Sequence, residues 1–149
     1  MPDGYIRLLD QLYHGQQGKV HTDKLSKPFA IARGTKQGDP LSSLLFNAVL
    51  EDIMRDVKPA WIRRNIGLEL GNVLLSELRF ADDLLLLATS TPAMRSMLGD
   101  VVAAPKRRGL ELHPDKTKIL CNKSVRSGRI SRPYLDVGDM RVEVLPYVG

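Results

Sequence analysis

Two adjacent aspartates, Asp82 and Asp83, lie between two short apolar runs, residues 74–81 and 84–88. Short apolar runs bounded by turn residues are typical of buried strands, and two such runs separated by two residues predict a β-hairpin with the acids at its tip. Hairpin turns of two residues favour glycine, and two neighbouring like charges repel each other. Because this turn breaks a local rule without a local gain, we expect a function here, and a divalent cation such as Mg²⁺ would remove the repulsion.

A helical interpretation of the same stretch is the alternative. Leucine favours helices by its intrinsic propensity, and Asp83 could cap a helix that begins at Leu84. A structure in which residues 84–88 are helical would reject the hairpin.

Composition places the chain among ordinary globular proteins. It has 149 residues, of which 43% are hydrophobic and 26% charged, so one domain is the default expectation. No apolar run approaches the roughly 18 residues of a membrane span, and the N-terminus does not resemble a signal peptide. The single cysteine, Cys121, excludes an internal disulfide and a cysteine-based zinc site of the usual type. We expect an intracellular protein with no membrane partner.

The positive charge is unevenly distributed along the chain. The net charge is +5, and residues 1–100 carry equal numbers of basic and acidic side chains, so the whole excess lies in residues 101–149. A basic segment on one side of a protein is typical of a polyanion partner, and a solvated basic face without a partner is the alternative. The predicted nucleic-acid-binding residues are Lys106, Arg107, Arg108 and Lys118, followed by Lys123, Arg126, Arg129 and Arg132.

Helical periodicity predicts three helices, near residues 5–14, 40–57 and 92–104. Asp39 and Pro40 are a strong start for the second helix, which we expect to end near Pro59 because a residue before proline avoids the α region. Short strands are predicted at residues 28–33 and 119–121, and a final hairpin at 135–148 that turns at Gly138-Asp139. The predicted fold class is α+β, a small antiparallel sheet backed by helices.

The loop before the second helix carries more than a helix start requires. A capping role explains Gly38, Asp39 and Pro40. It does not explain two cations and an amide beside exposed backbone, which are Arg33, Lys36 and Gln37. A loop of this kind suits phosphates or a nucleotide.

In their order, these segments resemble the palm of a reverse transcriptase, an RNA-directed DNA polymerase, and most closely that of non-LTR retrotransposons. The resemblance spans nearly the whole chain. It rests on Arg33-Gly-Thr-Lys-Gln-Gly-Asp-Pro-Leu-Ser42, Leu44-Leu-Phe-Asn47, Phe80-Ala-Asp-Asp83, Gly109-Leu-Glu-Leu112, Lys116-Thr117 and Tyr147-Val-Gly149.

The resemblance implies a catalytic role for both aspartates. Asp82 would be the metal ligand and Asp83 its weaker companion, with Mg²⁺ or Mn²⁺ as the cofactor. In this family a primer 3′-hydroxyl attacks an α-phosphate across two metal ions. The implied partners are an RNA template, a DNA primer, deoxynucleoside triphosphates and the missing parts of the polymerase, in a nuclear location. The implied nucleotide- and template-binding residues are Arg33, Lys36, Gln37, Gly38, Pro40 and Lys116.

One element of the family pattern has no counterpart in this chain. The family needs another aspartate, on a strand that precedes the loop, and residues 1–33 contain no such motif. We therefore expect a single partial palm domain over residues 1–149, without the first catalytic motif, the fingers or the thumb, and inactive by itself. Two alternatives are a non-catalytic nucleic-acid-binding remnant of a retroelement, and an unrelated α+β domain in which Asp82-Asp83 is only a turn.

Overall fold

The computed structural model describes residues 3–31, 34, 38–121 and 133–146. The chain divides into two compact units, Met1–Ser42 and Ser43–Gly149. The predicted α+β class is confirmed, because the described residues form three α-helices and several small sheets. None of the described helices combines the length and the apolar character that a membrane span requires.

The first unit begins with helix α1, Asp3–Tyr13, and Gly15, two residues after its end, has a φ of 68°. None of the α1 residues is buried, so the apolar stripe that predicted this helix remains largely exposed. Strands β1, Gln17–Gly18, and β2, Phe29–Ala30, form a short antiparallel pair. Gly18 lies so close to the Phe29 ring that a Cβ atom there would sit 2.8 Å from it.

Helix α2, Pro40–Arg63, starts where the sequence predicts and ends later. The Asp39 carboxylate accepts a hydrogen bond from the Leu41 backbone N–H at 2.9 Å, which caps the helix. The helix continues through Pro59, although an interior proline costs about 3 kcal/mol. The predicted end is therefore wrong. The cost is offset because Trp61, in the last turn, is completely buried, and burying a large aromatic side chain contributes a comparable free energy.

Two hairpins follow α2. Strands β3, Leu68–Leu70, and β4, Val73–Leu75, pair antiparallel, as do β5, Glu77–Phe80, and β6, Asp83–Leu86. The predicted single strand over residues 74–81 is therefore two strands. The chain passes from one hairpin to the next at Ser76, a buried residue whose carbonyl accepts a hydrogen bond from the Leu87 N–H.

Helix α3, Thr91–Lys106, is capped by the Ser90 hydroxyl. A 3₁₀ turn, Pro114–Lys116, leads into a three-stranded sheet built of β7, Lys118–Cys121, β8, Tyr134–Val137, and β9, Met140–Pro146. The strand order is β7-β9-β8. The β8–β9 hairpin turns at Gly138-Asp139 as predicted, whereas β7 and β9 are parallel, which the sequence did not reveal.

The described residues of the second unit form two hydrophobic core clusters. One centres on α2 and α3 and includes Ile53, Met54, Trp61 and Met97. The other packs α3 against the three-stranded sheet and includes Leu98 and Val142. Leu86 on β6 packs against both clusters, so the hairpin that carries the aspartates is attached to the whole core of this unit.

Candidate active site

The aspartates lie on the β5–β6 hairpin, one residue away from their predicted register. Phe80 pairs with Asp83, so the two-residue turn is Ala81-Asp82, and Asp83 is the first residue of β6. The hairpin is confirmed, the helical alternative for residues 84–88 is wrong, and the predicted Asp82-Asp83 turn is corrected by one position. Burial explains this register. The pairing turns Leu84 and Leu86 toward the core, and a slip of one residue would turn both toward solvent.

The turn itself is strained. Ala81 has a φ of 53°, whereas the φ of Asp82 is not positive. This sign pattern matches a type II′ turn, in which the first central position favours glycine. A non-glycine residue held in such a conformation costs about 1–3 kcal/mol and persists only where its surroundings impose it. The chain therefore maintains an unfavourable backbone conformation immediately before Asp82.

Both carboxylates of the hairpin are exposed and available. Neither the Asp82 nor the Asp83 side chain forms a hydrogen bond or an ion pair with any other described residue. Two adjacent, unpaired carboxylates fit the oxygen-rich coordination that Mg²⁺ prefers. No cluster of three or more His, Cys, Asp or Glu side chains suited to a metal occurs in the part of the chain that the structure describes. The hairpin thus offers two ligand side chains.

Strand alternation gives the hairpin two different faces. Leu78, Phe80 and Leu85 lie on the outward face, and the Phe80 side chain is 82% exposed. Asp83 shares this face because it pairs directly with Phe80. The opposite face of β5 carries Glu77 and Arg79 and contacts α2.

An ion-pair network joins that inner face to α2. Arg79 Nη2 lies 2.8 Å from Glu51 Oε2, and Arg79 Nε lies 2.9 Å from Glu77 Oε2. The other oxygen of Glu77 accepts a hydrogen bond from Lys58 Nζ at 2.8 Å. Glu51 also accepts from Arg55 Nε at 3.2 Å. We call these five side chains the β5–α2 network.

Burial within the β5–α2 network is graded. The Glu77 side chain is 4% exposed and that of Arg79 26%, whereas that of Glu51 is 44% exposed. Although Arg79 Nε lies close to Glu77 Oε2, its direction does not fit a hydrogen bond, so this contact is an ion pair only. The hydrogen bond from Arg79, aided by that from Arg55, lowers the pKa of the Glu51 carboxyl below its ordinary value.

A cavity of about 510 Å³ opens beside this network. Residues of α2, including Asn47 and Leu50, line one side of it, and β5 lines the other up to Ala81. Water can therefore reach the more exposed end of the network, close to the turn.

Little of the predicted nucleotide-binding loop is described by the structure. Arg33, Lys36 and Gln37 lie outside the described residues. Gly38 has a φ of 84°, which favours glycine, and Pro40 is the first residue of α2. These positions belong to the first unit, whereas the aspartate hairpin belongs to the second.

The basic residues fall into two groups. Lys106, Arg107 and Lys116 are exposed, and their side chains contact no acidic partner among the described residues. Arg108 instead bridges Asp52 and Asp56 of α2, at 2.7 and 2.6 Å, and the hydrogen bonds that it donates to Asp56 and Asp52 raise its pKa. Lys118 pairs with Glu143 on the neighbouring strand at 2.6 Å. Four further predicted contacts, Lys123, Arg126, Arg129 and Arg132, lie outside the described residues.

Sequence reasoning missed the β5–α2 network. It gave Glu77 and Arg79 no role. The available signal was the pair of opposite charges at Glu77 and Arg79, two residues apart on the strand face that turns toward the core. Buried charges require partners, so this pair predicts an ion-pair network.

We compared the chain with models of known protein families and with known proteins. The model of the reverse transcriptase (RNA-dependent DNA polymerase) family matches residues 3–144, so the chain belongs to this family. The alternative of an unrelated α+β domain is wrong.

Its relatives are polyproteins of R2 retrotransposable elements. The chain is 34% identical to the Retrovirus-related Pol polyprotein from type-2 retrotransposable element R2DM of Drosophila melanogaster, over 77% of this chain and 10% of that protein. It is 39% identical to a Pol polyprotein from a type-1 R2 element of Nasonia vitripennis, over 60% of this chain and 8% of that protein. It is 31% identical to a Pol polyprotein from a type-1 R2 element of Popillia japonica, over 88% of this chain and 19% of that protein. The chain therefore spans less than a fifth of the length of each of these relatives.

Proposed function

We propose that this chain supplies the metal-binding hairpin of an RNA-directed DNA polymerase and acts as a palm segment of a longer protein. The observation that carries the proposal is the pair of exposed, unpartnered carboxylates at the strained β5–β6 turn, in a chain of the reverse transcriptase family. The family resemblance favours a nuclear site of action.

The reaction is nucleotidyl transfer. The primer 3′-hydroxyl loses its proton to solvent, its oxygen forms a bond to the α-phosphorus of a deoxynucleoside triphosphate, the bond from that phosphorus to the bridging oxygen of the β-phosphate breaks, and pyrophosphate leaves. Asp82 and Asp83 would hold Mg²⁺ or Mn²⁺, which stabilises the charge on the attacking and leaving oxygens when bound. Asp82, at the tip, is the principal ligand, and Asp83 assists from the first position of β6.

Two carboxylates supply fewer oxygen ligands than a two-metal site requires. We propose that another part of the longer protein contributes a further carboxylate on a strand, and that the 149-residue chain needs that part for synthesis. Among the described strands, β6 pairs only with β5. Its other edge is therefore available to an additional strand, which would bring a third carboxylate close to the turn.

Nucleic acid would be held by the cations that the fold leaves unpaired. Lys106, Arg107 and Lys116 are the strongest candidates for phosphate contacts because no described carboxylate neutralises them. The loop residues Arg33, Lys36, Gln37, Gly38 and Pro40 stay candidates for the template and the incoming nucleotide. These unpaired cations also favour the second candidate function, a nucleic-acid-binding remnant without chemistry.

Primer extension on an RNA template by the full-length protein, with Mg²⁺, separates the two functions. The wild type should extend the primer, Asp82→Asn should abolish extension, and Asp83→Asn should reduce it by a similar or smaller factor. Asp139→Asn, at the tip of the β8–β9 hairpin, is the matched control and should extend normally. Binding without extension by the wild type would favour the remnant, and extension by Asp82→Asn would remove the proposed role of this residue.

A further inference from the structure

We propose that Arg79 and Glu51 are positioning residues that hold the Ala81-Asp82 turn in its strained conformation. This inference deepens the proposed function and rests on it, because the purpose assigned to the restraint is the placement of Asp82. Neither residue contacts the metal or the substrate in this proposal.

The geometry shows a two-point attachment of β5 to α2. Arg79 reaches Glu51 at 2.8 Å, and Glu77 reaches Lys58 at 2.8 Å. Glu51 and Lys58 are seven residues apart on α2, which corresponds to about 10.5 Å along a helix. Because the Arg79–Glu77 contact connects the two attachments, β5 can neither slide along α2 nor rotate about its own axis without breaking an ion pair.

Arg79 occupies the position where such a restraint is most effective. It is the last side chain of β5 that faces α2, two residues before the turn. The turn carries a positive φ at Ala81, and the Asp82 carboxylate contacts no described residue that could hold it. Its position is therefore set by the backbone alone. Catalytic groups must be held to within about 0.5 Å of their productive position. The contacts that fix β5 therefore also fix the position of the Asp82 carboxylate.

Two other roles for Arg79 fit the contacts less well. A phosphate-binding arginine needs a free guanidinium face, whereas this guanidinium is already paired with two carboxylates. A purely stabilising ion pair would not need its position at the turn. Arg64 provides a comparison: it pairs with Asp100 at 3.3 Å and donates to the Ser96 hydroxyl at 2.7 Å, which joins the residue after α2 to α3, away from the hairpin.

Amide hydrogen exchange of residues 77–86 in the full-length protein tests the restraint without using activity. In Arg79→Gln the exchange of these amides should rise about tenfold, because local opening of the hairpin becomes easier. Glu51→Gln removes the carboxylate that pairs with Arg79 and should give a smaller rise in the exchange of the same amides. This variant replaces Arg79→Gln in the test if Arg79→Gln fails to fold. Arg79→Lys keeps the charge and should restore part of the protection. Arg64→Gln is the matched control and should leave exchange of this segment unchanged.

Kinetics in the same proteins then connect the restraint to the chemistry. Arg79→Gln should lower kcat for primer extension by about tenfold to a hundredfold, the typical cost of a displaced catalytic group, with the KM for the nucleotide changed by less than about threefold. Arg64→Gln should retain wild-type kcat.

Two results would overturn the proposal: hairpin exchange in Arg79→Gln and Glu51→Gln equal to wild type, or an equal rise in Arg64→Gln. If the exchange results hold while the wild type extends no primer, the proposed function fails and the restraint on the turn stands, so the two failures are distinguishable.

Discussion

The indole Nε1 of Trp61 donates a hydrogen bond to Asp100 Oδ2 at 2.8 Å, joining the last turn of α2 to α3. Trp61 is completely buried, and the same Asp100 oxygen also accepts a hydrogen bond from Arg64 Nη2 at 3.3 Å. This contact explains why α2 continues past Pro59. The partners that stabilise its last turn lie on a helix about forty residues later in the chain.

Trp61→Phe tests this explanation. The variant keeps an aromatic ring but loses the N–H donor and some buried area, so we expect the free energy of unfolding to fall by about 2–3 kcal/mol. Asp100→Asn keeps an acceptor oxygen and should cost less. Thermal or urea unfolding measures both, and a Trp61→Phe protein as stable as wild type would contradict the assignment.

Replacing Ala81 with glycine should stabilise the protein. Glycine removes the strain of a positive φ, but it also increases the conformational entropy of the unfolded chain, which offsets part of this stabilisation. We expect the free energy of unfolding to rise by about 1 kcal/mol. Ala81→Val should be destabilising, because a β-branched residue is poorly tolerated at positive φ. Ala103→Gly, at an exposed position inside α3, is the control and should lose about 1 kcal/mol. Urea unfolding separates these outcomes. Equal losses for glycine at both sites would show that the turn is relaxed.

Stability should decrease on acidification partly through Glu51. Its pKa is lowered in the folded protein, so the stabilisation is complete at neutral pH and is lost as the pH falls from about 5 through the folded-state pKa. Glu51→Gln should therefore be less stable than wild type at pH 7, and the difference should shrink toward pH 3. Urea midpoints across this range measure it. A constant difference would mean that the ionised carboxylate contributes nothing.

The unpaired cations should dominate the salt dependence of nucleic-acid binding. Each phosphate contact contributes close to 0.9 to the slope of log K against log salt on duplex DNA, so replacing Lys106, Arg107 and Lys116 together with alanine should flatten that slope by about 2–3. Lys118→Ala should change the slope less, because Glu143 already pairs with Lys118. Fluorescence anisotropy at several salt concentrations provides the measurement. A larger effect for Lys118 would show that its ion pair opens on binding.

Local chemistry made several elements predictable from sequence. Asp39 before Pro40 marked the start of α2 because a cap acts on backbone N–H groups within three residues. The aspartate hairpin was predictable from its flanking apolar runs, and Gly138-Asp139 from its turn-forming residues.

Features that depend on distant partners were not predictable in the same way. The late end of α2 depends on Asp100, and the one-residue shift of the aspartate turn depends on which leucines reach the core. Arg108 was assigned to nucleic acid from charge alone, whereas the fold places it against Asp52 and Asp56. A count of basic residues cannot distinguish a cation that the chain neutralises from one that it leaves free.

Leu86 packs against both hydrophobic clusters, and this sharing has a consequence for how the second unit comes apart. A side chain common to two cores couples their melting, so fraying of the β5–β6 hairpin would expose apolar surface in both at once. Opening of the hairpin therefore weakens the packing of both clusters at once. Proteolytic cleavage within the hairpin should lower the stability of the two clusters together.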